Sequence, residues 1–174
     1  MKVQVEESYL NHLIYISEHD ELTGVMNRYG IKRKMDELYN PDGQGFICVV
    51  DIDNFKVVND VAGHVAGDVV LRSFAEALAG LKNSHVGRLG GDEFFVFIGG
   101  IEDKDELQEE FKALGDRVDA IAVPGHDEIK VTYSAGAYYL RGNREELLQC
   151  SYTKPDRLCY ESKKIKGNSV TIEI

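Results

Sequence analysis

The sequence predicts an α+β fold in which helices pack on one mixed, largely antiparallel sheet of about five strands. Helical and strand-like patterns alternate along the 174 residues, in the order α α β α α β β α β α β. Residues 85–99 depart from this alternation, because two apolar runs flank the turn Gly90-Gly91-Asp92. Glycine adopts the positive φ that a tight turn needs, so this stretch predicts an antiparallel hairpin rather than a fully parallel sheet.

Length and composition indicate a single globular domain. A chain of 174 residues with 43% hydrophobic residues buries a substantial core. The formal net charge of −10 makes a nucleic-acid polymer a poor partner, because binding to phosphate backbones requires a basic surface. Acidic clusters remain compatible with phosphate chemistry when metal ions bridge carboxylates and phosphates.

We expect a cytoplasmic protein with reduced thiols. No apolar run approaches the roughly 20 residues that span a bilayer, and the N-terminus lacks the apolar segment of a signal peptide. The chain contains three cysteines, an odd number, and no CxxC pair. That usage disfavours both a disulfide scaffold and a zinc site.

Residues 6–18 predict an N-terminal helix, with Tyr9 and Leu13 at helical spacing. Two interpretations stay open. Segment 1–18 is either a helix docked on the domain or the end of a signalling stalk, with the domain proper at 19–174. The stretch is too short to be assigned as a coiled coil from its pattern.

A second helix is expected over 28–39, with Asn27 as its N-cap. A loop over 40–45, rich in Pro, Asp and Gly, separates it from the apolar run 46–50. A continuous apolar run is typical of a central strand that is buried on both faces. This strand leads directly into two aspartates.

The remaining elements follow from the same two periodicities. Helical spacing predicts four more helices, the last of them in two pieces: 54–62, 69–81, 102–122 and 144–166. Alternation predicts two more strands: 128–140 and 169–174. The segment 63–68 is expected to separate the helices 54–62 and 69–81. Pro155 is expected to begin the second piece of the helix 144–166.

Carboxylates cluster at the ends of two predicted strands. Asp51 and Asp53 end the central strand, and Asp92 and Glu93 follow the hairpin turn. Taken alone, the hairpin acids fit a polar turn with solvated charges. If the two strands are neighbours, up to four carboxylates converge, and oxygen ligands without a His/Cys set favour Mg²⁺. The sequence contains no GxxxxGK[ST], HExxH or GxSxG pattern that would indicate other chemistry.

Four motifs occur in the order and register of one family: DELTGVMNR (20–28), DIDNFKVVNDVAGHVAGD (51–68), RLGGDEF (88–94) and VTYSAGAYYL (131–140). From about Asp20 to the C-terminus, the chain resembles the GGDEF domain of diguanylate cyclases. The resemblance implies a sheet-and-helix fold of the nucleotidyl-cyclase or polymerase-palm type.

The resemblance also implies an activity. Members of the family condense two GTP molecules into the bacterial second messenger cyclic di-GMP and release pyrophosphate, with each subunit of a homodimer presenting one GTP. Two Mg²⁺ ions per active site, or Mn²⁺ in their place, are implied as cofactors. An attached or separate sensor domain is implied as the partner that sets the geometry of the dimer.

Carried over residue by residue, the resemblance implies a metal site made of Asp51, the main-chain carbonyl of Ile52, Asp92 and Glu93. Asp92 would also act as the base for the 3′-hydroxyl, with Glu93 assisting. Lys56 would meet the phosphates as a point charge.

The same resemblance implies the contacts to the nucleotide. Asn59 and Asp68 would hydrogen-bond guanine, because a carboxylate accepts from its N1 and N2 donors. His64 would lie close to that pocket. Gly90 and Gly91 would let the main chain approach the nucleotide.

The C-terminal motif keeps one part of the family pattern and departs from another. In RLCYESKKIKGN (157–168), Lys163 matches the phosphate-binding lysine of the family, but Gly167 stands where an arginine is common. Lys166 restores a charge without the bidentate grip of a guanidinium. A catalytically silent module that binds GTP or a protein partner therefore stays open as the alternative.

Some of these residues also have structural interpretations. Phe55 is expected in the core, and Arg28 and Arg88 are expected in structural ion pairs. Asn59 fits the end of a short helix and Asp68 the N-cap of the next, and either role is compatible with nucleotide binding.

Overall fold

The computed structural model of the protein describes residues 2–38, 44–141 and 152–174. Within these ranges the chain forms six helices: α1 Lys2–Glu18, α2 Arg28–Leu38, α3 Phe55–Ala62, α4 His64–Ala79, α5 Lys104–Asp119 and α6 Thr153–Ser162. It forms six strands: β1 Met26–Asn27, β2 Gly45–Ile52, β3 Ser84–Gly90, β4 Glu93–Gly99, β5 Tyr133–Leu140 and β6 Ser169–Glu173. Most of the predicted loop 40–45 and the first piece of the predicted helix 144–166 lie outside the described residues.

One sheet contains these six strands, in the order β1-β3-β4-β2-β5-β6. The four central strands are antiparallel to their central neighbours, whereas β1 and β6 pair in parallel at the two edges. The predicted mixed, largely antiparallel α+β sheet is therefore confirmed. The prediction of about five strands missed β1, because a strand of two residues shows no alternation.

β2 lies inside the sheet and is buried over its whole length. Successive side chains of a strand point to opposite faces, so β2 contributes to two cores. The larger core lies against α3, α4 and α5 and receives Phe46, Cys48, Val50 and Ile52. The smaller core lies against α2 and α6 and receives Ile47 and Val49. Helices on both faces explain why this strand is apolar without alternation.

The break between α3 and α4 is a single residue. Gly63, at φ 83°, separates the two helices, and glycine adopts positive φ without strain. α4 therefore begins at His64, earlier than predicted, and the predicted break over 63–68 is wrong beyond Gly63. Asp68 lies inside α4, so its interpretation as an N-cap is wrong as well. Phe55, the first residue of α3, is buried in the core as predicted.

The ends of α2 and α6 follow capping chemistry. Asn27 caps α2 as predicted, because its Oδ1 accepts hydrogen bonds from the main-chain N–H groups of Tyr29 at 3.0 Å and Gly30 at 2.9 Å. α6 begins at Thr153 rather than at Pro155. Pro155 still lies in the first turn, where the N–H that proline lacks has no partner within the helix.

Helix α1 meets the domain at its C-terminal end, where Glu18 pairs with Arg33 of α2 at 2.9 Å. Leu10, Leu13 and Ile14 of α1 are exposed. A helix docked on the core would bury such residues, so this part of α1 does not pack against the domain. Across the described ranges, no helix combines the length and the apolar character that a membrane span requires.

Gly136 of β5 marks a close approach between α6 and the sheet. A Cβ atom at this position would meet the main chain of α6 at Pro155 and Cys159. We expect Gly136→Ala to lower the free energy of unfolding by about 2 kcal/mol, because the packed main chain cannot yield as the tip of a side chain can. Urea unfolding followed by circular dichroism measures the difference.

Gly99→Ala is the matched control at another strand glycine, because its Cβ would meet the Phe97 ring at 3.4 and 3.9 Å. We expect this variant to unfold at nearly the same urea concentration as the parent. Equal losses of stability in the two variants would contradict tight packing of α6 on β5.

Candidate active site

β2 and β4 bring two predicted metal-binding residues face to face. In the antiparallel register, Asp51 lies directly opposite Glu93. The main-chain N–H of Ile52 donates a hydrogen bond to the carbonyl of Asp92 at 3.3 Å. Residues opposite each other in such a pair project to the same face of the sheet, so the carboxylates of Asp51 and Glu93 share one side.

Asp53, by contrast, turns toward β5. Its Oδ1 accepts a hydrogen bond from the Ser134 hydroxyl and its Oδ2 from the Thr132 hydroxyl, both at 2.8 Å. The main-chain N–H of Asp53 also donates to the Thr132 carbonyl at 2.9 Å. Both carboxylate oxygens of Asp53 are thus engaged in fixing the end of the strand. Of the four carboxylates that were expected to converge, Asp53 therefore turns toward β5 instead.

Asp51 is 8% exposed, and its Oδ2 lies 2.9 Å from Nζ of Lys163. Burial raises the pKa of Asp51; Lys163 acts in the opposite direction, and the charges of Asp92 and Glu93 add to the rise. Partial burial acts to lower the pKa of Lys163, but the hydrogen bond and the charge of Asp51 outweigh it and raise that pKa. The ammonium of Lys163 therefore stays charged beside Asp51, whose carboxylate is repelled by the charges of Asp92 and Glu93.

The donor chemistry of this corner fits a divalent cation. The charges of Asp92 and Glu93 help to raise the pKa of Asp51, a repulsion that a bound cation would relieve. Carboxylate and main-chain carbonyl oxygens are ligands that suit Mg²⁺ and Mn²⁺. Over the described ranges, however, no three His, Cys, Asp or Glu side chains are grouped so as to hold a metal ion by themselves. The cation beside Asp51 in this structure is the ammonium of Lys163.

The residues predicted to contact or lie near guanine are on α3 and α4, directly after β2. Asn59 of α3 packs so closely on Gly67 of α4 that a Cβ atom at Gly67 would meet Asn59 Oδ1. Because Asp68 follows Gly67 in the chain, this contact brings Asn59 and Asp68 into one region, and both are half-buried. Lys56 on α3 and His64 at the start of α4 are exposed.

Two pockets share Asp51 and Lys163 as lining residues. The first, of about 440 Å³, lies between the end of β2 and the loop after α6, where Asn54, Lys166 and Gly167 complete the lining with their neighbours. Gly167, at φ 85°, contributes no side chain to it. The second pocket, of about 270 Å³, lies between β2, β4 and α6, and its lining includes Glu93, Arg157 and Tyr160.

The family model described as "Diguanylate cyclase, GGDEF domain" matches residues 17–169. The chain belongs to this family. It is similar to the diguanylate cyclase DgcZ of Escherichia coli, at 34% identity over 158 residues, which are 87% of this chain and 52% of that protein. It is also similar to the diguanylate cyclase DgcP of Pseudomonas aeruginosa, at 31% identity over 156 residues, which are 83% of this chain and 22% of that protein. The chain thus spans between about a fifth and about half of the length of these relatives.

The fold of this GGDEF domain matches a solved member of the family. The crystal structure of the coiled coil and GGDEF domain of DgcB from Caulobacter crescentus, in complex with c-di-GMP, is similar at a TM-score of 0.85 and 23% identity. The match covers 99% of this chain and 94% of that chain. This likeness confirms the predicted fold, and the family match confirms the resemblance predicted from the four motifs.

In this GGDEF domain the turn between β3 and β4 is held by Arg88. Its Nε and Nη2 donate hydrogen bonds to the Gly91 carbonyl at 2.9 and 2.7 Å, and its Nη1 pairs with Asp20 Oδ1 at 3.0 Å. Gly90 and Gly91 both have positive φ, 148° and 56°, and a Cβ atom at either position would meet nothing within 4 Å. Hydrogen bonds from Arg88 therefore hold the main chain of the turn, and the space where side chains would lie at Gly90 and Gly91 is open.

Sequence reasoning missed the role of Asp20 in this arrangement. Its Oδ1 also accepts hydrogen bonds from the N–H of Thr23 at 2.9 Å and from its hydroxyl at 2.6 Å. The spacing Asp-x-x-Thr in DELTG is the local signal for such a turn. The expected ion pair of Arg88 is confirmed, whereas Arg28 donates a hydrogen bond to the Leu89 carbonyl at 3.3 Å.

The pKa of Asp20 makes this arrangement testable. Burial acts to raise that pKa, but hydrogen bonds from Thr23 and Arg88 outweigh it and lower the pKa. A carboxyl with a lowered pKa stabilises the fold above a pH of about 4 and loses this effect as pH falls through the lowered value. We expect Asp20→Asn to lower the free energy of unfolding by about 1 kcal/mol at neutral pH. The difference from the parent should shrink as the pH falls below about 4 in urea unfolding.

Glu109→Gln is the control for this series, because Glu109 pairs with Lys112 at 3.9 Å and both side chains are exposed. We expect little change in stability from that variant at either pH, as for most exposed ion pairs. A loss in Asp20→Asn that is the same at acidic and neutral pH would argue against the charge of Asp20 as the stabilising feature.

Proposed function

We propose that this GGDEF domain condenses two GTP molecules into cyclic di-GMP and releases pyrophosphate, with each subunit of a homodimer presenting one GTP. The observation that carries the proposal is the cross-strand pair of Asp51 and Glu93 beside Lys163, which gathers carboxylates and a cation at the end of β2. The open space at Gly90 and Gly91 suits a close approach of nucleotide to main chain. The names of the similar proteins DgcZ and DgcP support the same activity.

In the proposed reaction the 3′-hydroxyl of each GTP attacks the α-phosphate of the other, and the bond from that α-phosphate to pyrophosphate breaks. Asp92 accepts the proton of the hydroxyl, with Glu93 assisting. Lys56 and Lys163 neutralise phosphate charge. Positioning and charge neutralisation dominate phosphoryl transfer, so fixed acids and nearby lysines are the groups that the reaction needs.

The same acids are proposed as metal ligands. Asp51, the Ile52 carbonyl, Asp92 and Glu93 would hold two Mg²⁺ ions, or Mn²⁺ in their place. When bound, such ions neutralise phosphate charge and lower the pKa of the attacking hydroxyl. The oxygen-only donor set supports this assignment, as does the repulsion among acids that helps to raise the pKa of Asp51.

We assign guanine recognition to Asn59 and Asp68. The contact between Asn59 and Gly67 supports the assignment, because it brings both polar side chains to the junction of α3 and α4, where His64 also lies. The carboxylate of Asp68 accepts hydrogen bonds from N1 and N2 of guanine, donors that adenine lacks. The site should therefore bind GTP in preference to ATP.

We assign α1 as the end of a signalling stalk that pairs two copies of this chain in the cytoplasm. The exposed side chains of Leu10, Leu13 and Ile14 support a helix-to-helix contact. The similarity over 99% of this chain to a structure that contains a coiled coil supports it as well. An attached or separate sensor would then act through the geometry of the pair.

Product formation from GTP and Mg²⁺, measured by chromatography at several protein concentrations, tests the activity. We expect cyclic di-GMP to rise faster than linearly with protein concentration, because the active species is a dimer. Asp92→Ala should lower the rate by at least about 100-fold through loss of the base. Asp127→Ala, at an exposed loop position, is the matched control and should leave the rate unchanged.

A silent GTP-binding or partner-binding module is the second candidate, and Gly167 favours it. Gly167 adds no side chain to the 440 Å³ pocket, at a position where the family commonly has an arginine. Without a guanidinium at this position, the pocket would bind phosphate more weakly. Absence of product even after fusion to a dimerising coiled coil would overturn the cyclase and favour the silent module, which binding of a GTP analogue would then test.

Gly67→Ala tests guanine recognition separately from catalysis. The added methyl group would press on Asn59 Oδ1 and displace that side chain. We expect the affinity for a non-hydrolysable GTP analogue to fall about tenfold, the effect of losing one hydrogen bond to a ligand. Titration calorimetry measures the affinity.

Gly115→Ala is the matched control for Gly67→Ala. Both positions lie inside helices, so both variants gain the helix propensity of alanine. A Cβ atom at Gly115 would lie 3.4 Å from Asn168 Nδ2, an ordinary contact, and we expect unchanged affinity for the analogue. If Gly67→Ala also binds the analogue as the parent does, Asn59 is not part of the guanine site.

A further inference from the structure

Lys163 binds the same carboxylate that the proposed metal site needs. We infer that Lys163 is an exchangeable cation: in the nucleotide-free protein its ammonium occupies Asp51 and competes with a divalent ion, and it moves to the triphosphate when GTP binds. The inference rests on the proposed function for the identity of the nucleotide. The competition at Asp51 does not depend on turnover.

The ammonium of Lys163 engages one of the two oxygens of a nearly buried carboxylate. Nζ lies 2.9 Å from Asp51 Oδ2, and the side chain of Asp51 is 11% exposed. An enclosed carboxylate leaves little room for a second cation at the same oxygen. A divalent ion that takes Asp51 as a ligand must therefore displace Lys163 or share the carboxylate with it.

The side chain of Lys163 can change its rotamer while its main chain stays in place. The main-chain N–H of Lys163 donates to the Cys159 carbonyl at 3.0 Å, which anchors the residue at the end of α6. The side chain is 43% exposed and consists of a flexible four-carbon stem. Lys163 also lines the 440 Å³ pocket together with Lys166. Rotation of the side chain can carry Nζ from Asp51 into that pocket.

The surrounding charges favour the exchange most when metal and nucleotide arrive together. Asp92 and Glu93 act on Asp51, so removal of the ammonium alone would leave several acids without a counter-charge. A divalent ion replaces one positive charge by two, and the phosphates give the released ammonium a new partner. Metal and nucleotide therefore strengthen each other's binding, and this coupling is reciprocal.

Mn²⁺ binding to the nucleotide-free protein, measured by electron paramagnetic resonance, tests the exchange. We expect Lys163→Met to bind Mn²⁺ about tenfold more tightly than the parent, within the usual range of coupling between ligands. The same variant should bind a GTP analogue more weakly, so the two ligands respond in opposite directions. Lys163→Arg keeps a cation at Asp51 and should bind Mn²⁺ no more tightly than the parent.

Lys166→Met is the matched control, because it removes an equal charge from the lining of the same pocket. We expect it to change the Mn²⁺ affinity by less than about threefold, since exposed charges are screened by salt. Unchanged or weaker Mn²⁺ binding in Lys163→Met would overturn the inference, and so would equal tightening in the two variants. Thermal unfolding gives a second measure: Mn²⁺ should raise the melting temperature of Lys163→Met more than that of the parent.

Neither measurement requires cyclase turnover, so the two proposals can fail separately. A protein that makes no cyclic di-GMP even after fusion to a dimerising coiled coil, together with tighter Mn²⁺ binding in Lys163→Met, would support the exchange and overturn the cyclase. Product formation together with unaltered Mn²⁺ binding in Lys163→Met would support the cyclase and overturn the exchange.

Discussion

The burial of one carboxylate at the end of a covered strand is the constraint on which the site depends. β2 is apolar and enclosed on both faces up to Val50, so Asp51 enters a desolvated environment where the strand ends. A buried charge persists only with compensating partners. Lys163 supplies that partner from the C-terminal end of α6, which the absence of a side chain at Gly136 allows to pack directly on β5. The C-terminal helix is thus part of the electrostatics of the site as well as part of the core.

The acids of the hairpin depend on a different kind of support. They lie at an open turn, so hydrogen bonds rather than burial hold their main chain in place. Arg88 joins the Gly91 carbonyl to Asp20, and β1 pairs with β3 next to it. Asp20 comes two residues after the end of α1 at Glu18, so its pair with Arg88 connects the N-terminal helix to the turn. The geometry of the acidic turn therefore depends on a segment that lies far from it in the sequence.

The parts of this arrangement that could be predicted are those with local signals. The apolar run 46–50 and the Gly90-Gly91 turn located a buried strand and a hairpin, and the acids at their ends followed. The engagement of Asp53 with β5 and the contact of Lys163 with Asp51 depend on which strand lies next to β2 and on which face α6 packs. Neither is encoded in the spacing of nearby residues. The early start of α4 was missed for a related reason, since periodicity does not reveal that Gly63 alone can separate two helices.

Because Gly167 carries no charged side chain, binding of phosphate in this pocket would depend on the remaining cations. With an arginine there, a rigid guanidinium would grip the phosphates and an ammonium could stay on Asp51. With Gly167, the lining of the pocket offers Lys163 and Lys166 as its cations, and Lys163 is already paired. A lysine is a flexible point charge, so it transfers readily between a carboxylate and a phosphate but holds neither in a fixed geometry. If the proposed exchange operates, nucleotide affinity in this domain depends on the release of Lys163 from Asp51, which the arrival of a divalent ion would promote.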